Sequence, residues 1–443
     1  MQQGKLMRDT MLLTGSTLVM RSIALVFQLW LVARIGTAGV GLFGLVGSVS
    51  FFAATVAISG VRFATTRLIS EEIGLTRQGG VGRTMKICML YSLFFGLSSA
   101  VILYLCAEPI GFLWVGDART VLPLRIVSAR LPFISLSSVF YGYFAACGRI
   151  MKAAAVNIAE QLVRIALVAL FLSSVPTGDL EKSCAAVCAG GTAAEVFSFV
   201  LMLVVFFFDR RKHTASPAMS PKIPSRLLSI AVPLALSAYA RTSLTTVESL
   251  LVPRGLKAAG FSANGALAGF GTIQGMVFPI IFFPSCLLTS IAELIVPELT
   301  AAQVAGEKKR IKQIIRRILL RCLAYSLFIA LMLYLLADLL SGEIYGSAEA
   351  GSYIKIFAFL VPLIYMDMVI DGCLKGLGQQ VWSMGFNILD AMLGVVLVYF
   401  LLPRYALTAY IAIIFFEEIL NLSLSSWRLA TITGTFQKKR AGA

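Results

Sequence analysis

Twelve long apolar segments determine what this chain can fold into. Each holds about 20 or more residues, the length that an α-helix needs to cross the hydrocarbon core of a bilayer. The chain is 58% hydrophobic and only 14% charged, with a mean hydropathy of +0.87. A single soluble globule cannot bury so much apolar surface, and a disordered chain would be far less hydrophobic. The segments lie near residues 10–34, 41–69, 86–107, 122–147, 151–173, 184–208, 226–253, 265–298, 313–337, 353–374, 380–402 and 407–430.

The sequence therefore predicts an all-α, polytopic membrane protein. The first apolar segment follows Lys5 and Arg8, and no cleavage site follows it, so we expect a membrane helix rather than a removable signal. Basic residues concentrate on alternate loops, including residues 210–212 and 308–317. The positive-inside rule places these loops and both termini in the cytoplasm. Most of the formal charge of +16 then lies on cytoplasmic loops, next to anionic lipid headgroups. We therefore expect no nucleic acid partner.

An internal repeat indicates two lobes of six helices. The repeat pairs Arg21 with Arg241, Arg34 with Arg254, Pro132 with Pro362, Gly148 with Gly378, Asn157 with Asn387, and Glu160 with Asp390. Because six is even, both halves enter the membrane from the same side and form parallel repeats. We predict an N-terminal lobe over residues 1–208, a cytoplasmic linker over 209–224 and a C-terminal lobe over 225–443.

Basic residues inside the apolar segments are candidates for a binding site, because a charge in hydrocarbon is costly unless it faces a cavity or a partner. Arg21 and Arg241 occupy matching positions in the first helix of each lobe, and Arg62 follows Gly60 in the second helix. Guanidinium groups bind phosphate through paired hydrogen bonds. We predict that these three arginines bind substrate in a central cavity. The alternative is that each pairs with a carboxylate and only holds helices together.

Acidic residues are absent from the first four apolar segments, which favours an anionic substrate over a cationic one. Asp367 and Asp371 are four residues apart and share one face of a helix. Together with Glu248 they are candidates for coupling to Na⁺ or H⁺. They could equally neutralise Arg130 or Arg164.

The acidic residue of the fifth apolar segment has a simpler explanation. Glu160 lies four residues before Arg164, which predicts an ion pair within one helix. Glycines and prolines in the eighth segment would suit either a hinge or close helix packing. These residues are Gly265, Gly269, Gly271, Gly275, Pro279 and Pro284.

The sequence indicates no enzyme, cofactor or metal site. His213 is the single histidine, and the eight cysteines lie in or beside apolar segments, where they suit helix packing. No Walker A motif is present, and no acid–base set can be built on one histidine.

Three segments resemble the multidrug/oligosaccharidyl-lipid/polysaccharide (MOP) flippase superfamily: residues 31–43 (LVARIGTAGVGLF), 250–262 (LLVPRGLKAAGFS) and 293–298 (ELIVPE). The resemblance covers essentially the whole chain and is strongest to the stage V sporulation protein B group of polysaccharide and peptidoglycan-precursor exporters. It implies a two-lobe, MATE-like transporter that works by alternating access. Phe27 and Leu42 stand where lipid II flippases carry an arginine and an acid, which counts against lipid II itself and favours a different lipid-linked glycan or a diverged role.

The resemblance implies a flippase for a prenyl-diphosphate-linked oligosaccharide or peptidoglycan precursor, in the bacterial plasma membrane and in contact with its lipids. We expect it to act as a monomer. The main alternative is a MATE-type, cation-coupled antiporter of organic cations. Two further hypotheses are a membrane scaffold that recruits an enzyme through residues 305–317 and an integral membrane glycosyltransferase.

Overall fold

The computed structural model describes residues 2–74, 78–176, 178–210, 223–345 and 347–434, and within them almost every residue is helical and none is in a strand. The α-helices are α1 (Gln2–Ile58), α2 (Val61–Gly74), α3 (Gln78–Pro109), α4 (Val121–Ser128), α5 (Leu131–Ala146), α6 (Ile150–Ser173), α7 (Leu180–Arg210), α8 (Ile223–Ala258), α9 (Ala263–Gly271), α10 (Phe278–Phe282), α11 (Cys286–Val304), α12 (Lys308–Leu339), α13 (Ala348–Ala358), α14 (Val361–Gly376) and α15 (Gln380–Ile432).

Among the described residues, eight helices are long and apolar enough to cross a membrane, or ten if each of two bent helix pairs counts as one span. Two of these spans have double length and contain a residue with non-helical backbone angles. In α1 this residue is Gly36, with φ 72° and ψ 173°, and in α15 it is Ala406, with φ 50°. If each bent pair is counted as one span and the two long spans are divided at these breaks, the described residues give twelve segments, the predicted number. The prediction of an all-α polytopic membrane protein is confirmed.

The internal repeat is visible in local structure. Helices α4 and α5 are bent by 44° where they meet, and α13 and α14 are bent by 51°. Pro132 and Pro362 lie in the first turn of α5 and α14, where their missing N–H groups cost nothing. Both helices then end before a glycine with positive φ, Gly148 at 65° and Gly378 at 69°. A π-helical turn also precedes each bent pair, at Ile110–Val115 and Leu340–Tyr345.

The chain divides into two compact units, and the first comprises Met1–Ile23 and Leu42–Leu250. In this unit α8 runs antiparallel to the second part of α1 and to α2. Thr246 donates a hydrogen bond to the carbonyl of Ser48 at 3.1 Å, and Arg226 forms an ion pair with Glu71. Gly60, with φ 70°, lets the backbones approach closely, because a Cβ there would lie 2.6 Å from the carbonyl oxygen of Ala231.

The second unit comprises Ala24–Gly41 and Leu251–Ala443. Here the middle of α1 packs on α9 and the π-helical turn Thr272–Val277. The side-chain amide of Gln28 donates to the carbonyl of Gly275 at 3.0 Å. A Cβ on Gly41 would lie 2.1 Å from the carbonyl oxygen of Leu267, and a Cβ on Gly271 would lie 2.2 Å from that of Thr37. At this contact the glycines of the eighth segment serve close packing.

Each unit thus contains a helix from the other half of the sequence. Residues 24–41 of α1 belong to the second unit, and residues 223–250 of α8 belong to the first. The lobes predicted over residues 1–208 and 225–443 stay a prediction. Most of the linker predicted over 209–224, including His213, lies outside the described residues.

Candidate functional site

An acidic cluster lies inside the second unit, where α14 meets the two parts of α15. Asp367, Asp390 and Glu418 come from three different helical stretches and interact electrostatically with one another. Asn421 is 7% exposed and donates through its amide nitrogen to Asp367 at 3.3 Å and to Asn387 at 3.4 Å. Long apolar helices therefore carry a set of carboxylate and amide groups into the interior of this unit.

Three oxygen atoms in this cluster are buried without a hydrogen-bond donor among the described residues. They are the Oδ1 atoms of Asp367, Asp390 and Asn421. A buried acceptor without a partner is costly, and nearly all such groups in proteins are satisfied. Carboxylate and amide oxygens are the ligands that hard cations prefer, and a carboxylate can also accept a proton. Among the described residues no three acidic, histidine or cysteine side chains converge closely enough to hold a metal ion, so Na⁺ would need the amide oxygens as ligands, whereas a carboxylate can take up H⁺ by itself.

Asp371, four residues further along α14, has other partners. Its carboxylate forms an ion pair with Lys375 at 3.2 Å and accepts a hydrogen bond from Ser383. The pair borders a cleft of about 310 Å³ between α11 and α14, which Thr289 also lines. Glu248, the third residue predicted to couple an ion, lies on α8 in the first unit. The coupling roles of Asp371 and Glu248 stay predictions.

The matching region of the first unit has a balanced set of charges. Arg164 forms the predicted intrahelical ion pair with Glu160, which is confirmed, and Arg130 donates to the hydroxyl of Ser50. Glu195 lies close enough to both arginines to interact with them. This unit thus holds two guanidinium groups and two carboxylates where the second unit holds acids and amides. The alternative in which Asp367 and Asp371 neutralise Arg130 or Arg164 stays a prediction.

Arg62 is exposed and lies flat against an aromatic ring. Its guanidinium carbon is 3.5 Å from the ring centroid of Tyr141. A stacked guanidinium keeps its N–H groups in its own plane, where they can still bind an anion. The stacking therefore positions Arg62 without using its hydrogen-bond donors.

Hydrogen bonds near the break between α1 and α2 join the helices that carry Arg62 and Arg241. The hydroxyl of Tyr239 lies 2.8 Å from that of Ser59, and the hydroxyl of Tyr91 lies 2.9 Å from it. Ser59 precedes Arg62 by three residues and Tyr239 precedes Arg241 by two. The cluster thus fixes both arginine-bearing segments against each other within the first unit.

All three predicted substrate arginines belong to the first unit. Arg21 is half-buried on α1, whereas Arg62 and Arg241 are exposed. Their role in binding stays a prediction. Sequence reasoning missed Tyr141, Ser59 and Tyr239 as supporting residues, because single hydroxyl groups in apolar helices are common. It also missed Asn421, although an amide within an apolar segment is a signal that could have identified it.

Comparisons with known protein families agree with this architecture. The family model described as polysaccharide biosynthesis protein matches residues 6–286, and the MatE family model matches residues 258–400. Stage V sporulation protein B of Bacillus subtilis is 24% identical over 409 residues, which cover 90% of this chain and 78% of that protein. Lipid II flippase MurJ of the same organism is 23% identical over 429 residues, which cover 89% of this chain and 76% of that protein.

Solved structures show the same fold. An inward-facing multidrug resistance MATE family transporter of the MOP superfamily superposes with a TM-score of 0.71 at 16% identity, covering 97% of this chain and 96% of that one. A MOP superfamily transporter from Pyrococcus furiosus superposes with a TM-score of 0.64 at 15% identity, covering 97% and 95%. The expected MATE-like fold and membership of the MOP superfamily are confirmed.

Proposed function

We propose that this chain, which belongs to the polysaccharide biosynthesis protein family, moves a lipid-linked saccharide or peptidoglycan precursor across the bacterial plasma membrane by alternating access. The family match over residues 6–286 carries this proposal. The relative named a lipid II flippase and the stage V sporulation protein both align along most of the chain. We further propose that it acts as a monomer, without catalysis, and with both termini in the cytoplasm.

The proposed substrate group is a prenyl diphosphate that carries a glycan. Its diphosphate is the part that guanidinium groups can recognise, while the prenyl tail stays in the lipid. Arg62 is exposed and held by Tyr141, and the hydroxyl cluster at Ser59 links its helix to that of Arg241. We assign Arg21, Arg62 and Arg241 to the diphosphate. An inside-negative potential favours outward movement of an anion by about 2.3 kcal/mol per charge per 100 mV.

The acidic cluster of the second unit provides a place for a coupling cation. Asp367, Asp390 and Asn421 each present a buried oxygen without a donor among the described residues. Binding of Na⁺ or H⁺ there would compensate the buried charge and favour one packing of α14 against α15 over another. A ligand that stabilises one conformation shifts the population toward it. We propose that this step couples substrate movement to an ion gradient.

A MATE-type antiporter of organic cations is the second candidate function. Two observations favour it: the MatE match over residues 258–400 and the cluster of acidic groups around Asp367 in the second unit. The two candidates differ in the charge of the substrate. The arginines of the first unit favour an anion, and the acidic cluster would then bind only the coupling ion.

Transport by the purified protein in liposomes separates these candidates. We expect a fluorescently labelled prenyl-diphosphate sugar to cross the bilayer at least 10-fold faster with the protein than in protein-free liposomes. A fluorescent organic cation should not accumulate above the protein-free control. Transport of the cation without the labelled lipid would reject the flippase and support the antiporter.

Removal of the two carboxylates that carry these buried oxygen atoms should abolish ion coupling. For the double variant Asp367→Asn and Asp390→Asn, we expect flipping to lose its dependence on a Na⁺ or pH gradient, because neutral amides need no compensating cation. The gradient-driven stimulation should fall about 10-fold or more, which corresponds to at least 1.4 kcal/mol. Flipping rates with and without each gradient measure the effect.

Asp338→Asn provides the matched control, since Asp338 pairs with Lys355 at 2.7 Å and its side chain is 77% exposed. This variant should keep the gradient dependence of the unmodified protein. A double variant that still responds fully to the gradients would show that the cation binds elsewhere.

A further inference from the structure

An apolar cleft in the second unit opens on the side of the protein between α11 and α12. Its volume is about 340 Å³, and α14 forms its floor. Leu287 and Ile291 line it and are each 42% exposed, so the cleft communicates with the surroundings of the protein. Leu320, Leu323 and Leu327 of α12 are also exposed, which is the apolar surface expected of a helix in contact with lipid. An opening in such a surface can accept an acyl chain.

Arg321 is the one charged side chain among the described residues that line this cleft. Arg321 projects from α12 and is exposed. At the other end of α12, Asp338 forms its exposed ion pair with Lys355. At about 1.5 Å per residue, Arg321 lies about 26 Å from Asp338 along the helix, compared with a hydrocarbon core of about 30 Å. When Asp338 lies at one boundary of the core, Arg321 lies close to the opposite boundary, where lipid phosphates begin.

Further positive charge continues from Arg321 along the helix. Arg317 lies one turn earlier and is exposed. Arg310 lies two turns before Arg317 and pairs with Glu307 at 3.0 Å. In the part of the chain that the structure describes, neither Arg317 nor Arg321 forms an ion pair. The cleft therefore combines an apolar body with a cationic end on the side that the sequence predicts to be cytoplasmic.

We propose that this cleft binds an anionic phospholipid of the membrane, with one acyl chain between α11 and α12 and the phosphate at Arg321 and Arg317. Basic pockets between membrane helices bind anionic headgroups in this way. Charge complementarity selects the headgroup, and the apolar lining holds the chain.

The bound lipid would act on the broken helix that borders the cleft. Tyr325 lines the cleft and donates a hydrogen bond at 3.0 Å to the carbonyl of Pro284, at the interruption between α10 and α11. An acyl chain against Leu287 would fix the spacing between α11 and α12 beside this break. If the proposed function holds, anionic lipid would therefore stabilise one conformation of the transporter.

Lipid binding by the purified full-length protein tests the proposal without any transport measurement. Native mass spectrometry in neutral detergent would count bound phosphatidylglycerol and phosphatidylcholine with identical acyl chains. We expect phosphatidylglycerol to bind at least 10-fold more tightly than phosphatidylcholine. Arg321→Gln should remove most of this preference. Leu287→Trp fills the cleft and should weaken the binding of both lipids.

Arg316→Gln is the matched control, since Arg316 is exposed on the same helix but about 140° around it from Arg321. This variant should retain the preference within about twofold. Equal binding of both lipids to the unmodified protein, or an unchanged preference in Arg321→Gln, would overturn the proposal. Displacement of phosphatidylglycerol by an equal amount of prenyl diphosphate would also overturn it and make the cleft a cargo site. The experiment measures lipid binding and not transport. If the protein failed to flip the labelled lipid, the proposed function would be rejected, but the result on lipid binding would still stand.

Discussion

Replacement of Arg62 by alanine should slow the flipping of a labelled prenyl-diphosphate sugar by about 10- to 100-fold. Hydrogen bonds to charged groups contribute about 1.5–3 kcal/mol each, and Arg62 is held flat on Tyr141 with its donors in plane. Arg62→Lys keeps the charge but loses the planar pair of donors, so we expect an intermediate rate. The rates are measured in liposomes at one protein density.

Arg67→Ala is the control for this series. Arg67 lies on the same helix, about 140° around it from Arg62, is exposed and pairs with Glu71 at 3.2 Å, so its removal takes away one positive charge from the helix but not from the surface of Arg62. We expect its rate to stay within about twofold of the unmodified protein. Equal losses in both variants would indicate a general electrostatic effect rather than a substrate contact at Arg62.

Introduction of a side chain at the glycine contact between α1 and α9 should strongly destabilise the second unit. A Cβ on Gly41 would lie 2.1 Å from the carbonyl oxygen of Leu267, and this oxygen is backbone and cannot turn away. Overpacking costs about 1–3 kcal/mol or more, and about 2–4 °C of melting temperature accompanies each kcal/mol. For Gly41→Val we therefore expect a decrease in Tm of roughly 5–10 °C, or loss of folded protein.

Thermal unfolding followed with a thiol-reactive dye measures this effect, because six of the eight cysteines are buried and become reactive only on unfolding. Gly47→Val is the matched control, since no heavy atom lies within 4 Å of a Cβ at Gly47. Its Tm should change by less than about 2 °C. An unchanged Tm in Gly41→Val would mean that the two backbones separate easily.

Much of the fold could be predicted from local sequence. Apolar segments of membrane-spanning length identify the helices, and Pro132 and Pro362 identify the two bends because proline cannot continue a hydrogen-bonded helix. Gly148 and Gly378 identify the positive-φ turns that follow. These features depend on a few neighbouring residues, and the internal repeat carries the same proline and glycine positions in both halves of the chain.

Pairing between helices could not be predicted in this way. Apolar helices offer similar surfaces to many neighbours, and no local signal indicates that α8 packs along α2 in the first unit. The acidic cluster illustrates the same difficulty. Asp367 and Asp371 share a helical face in the sequence, yet Asp371 pairs with Lys375 while Asp367 meets Asn421, which lies 54 positions further along the chain.

The exchange of helices between the two units has a consequence for biosynthesis. Residues 223–250 complete the first unit, so the ribosome must translate past the midpoint of the chain, through α8, before that unit can finish folding. A nascent chain that stops after α7 lacks the partners of Ser48, Ser59 and Glu71 that α8 supplies. Such a chain would leave the insertion machinery without these contacts between helices, so the first unit stays incomplete until α8 has been inserted.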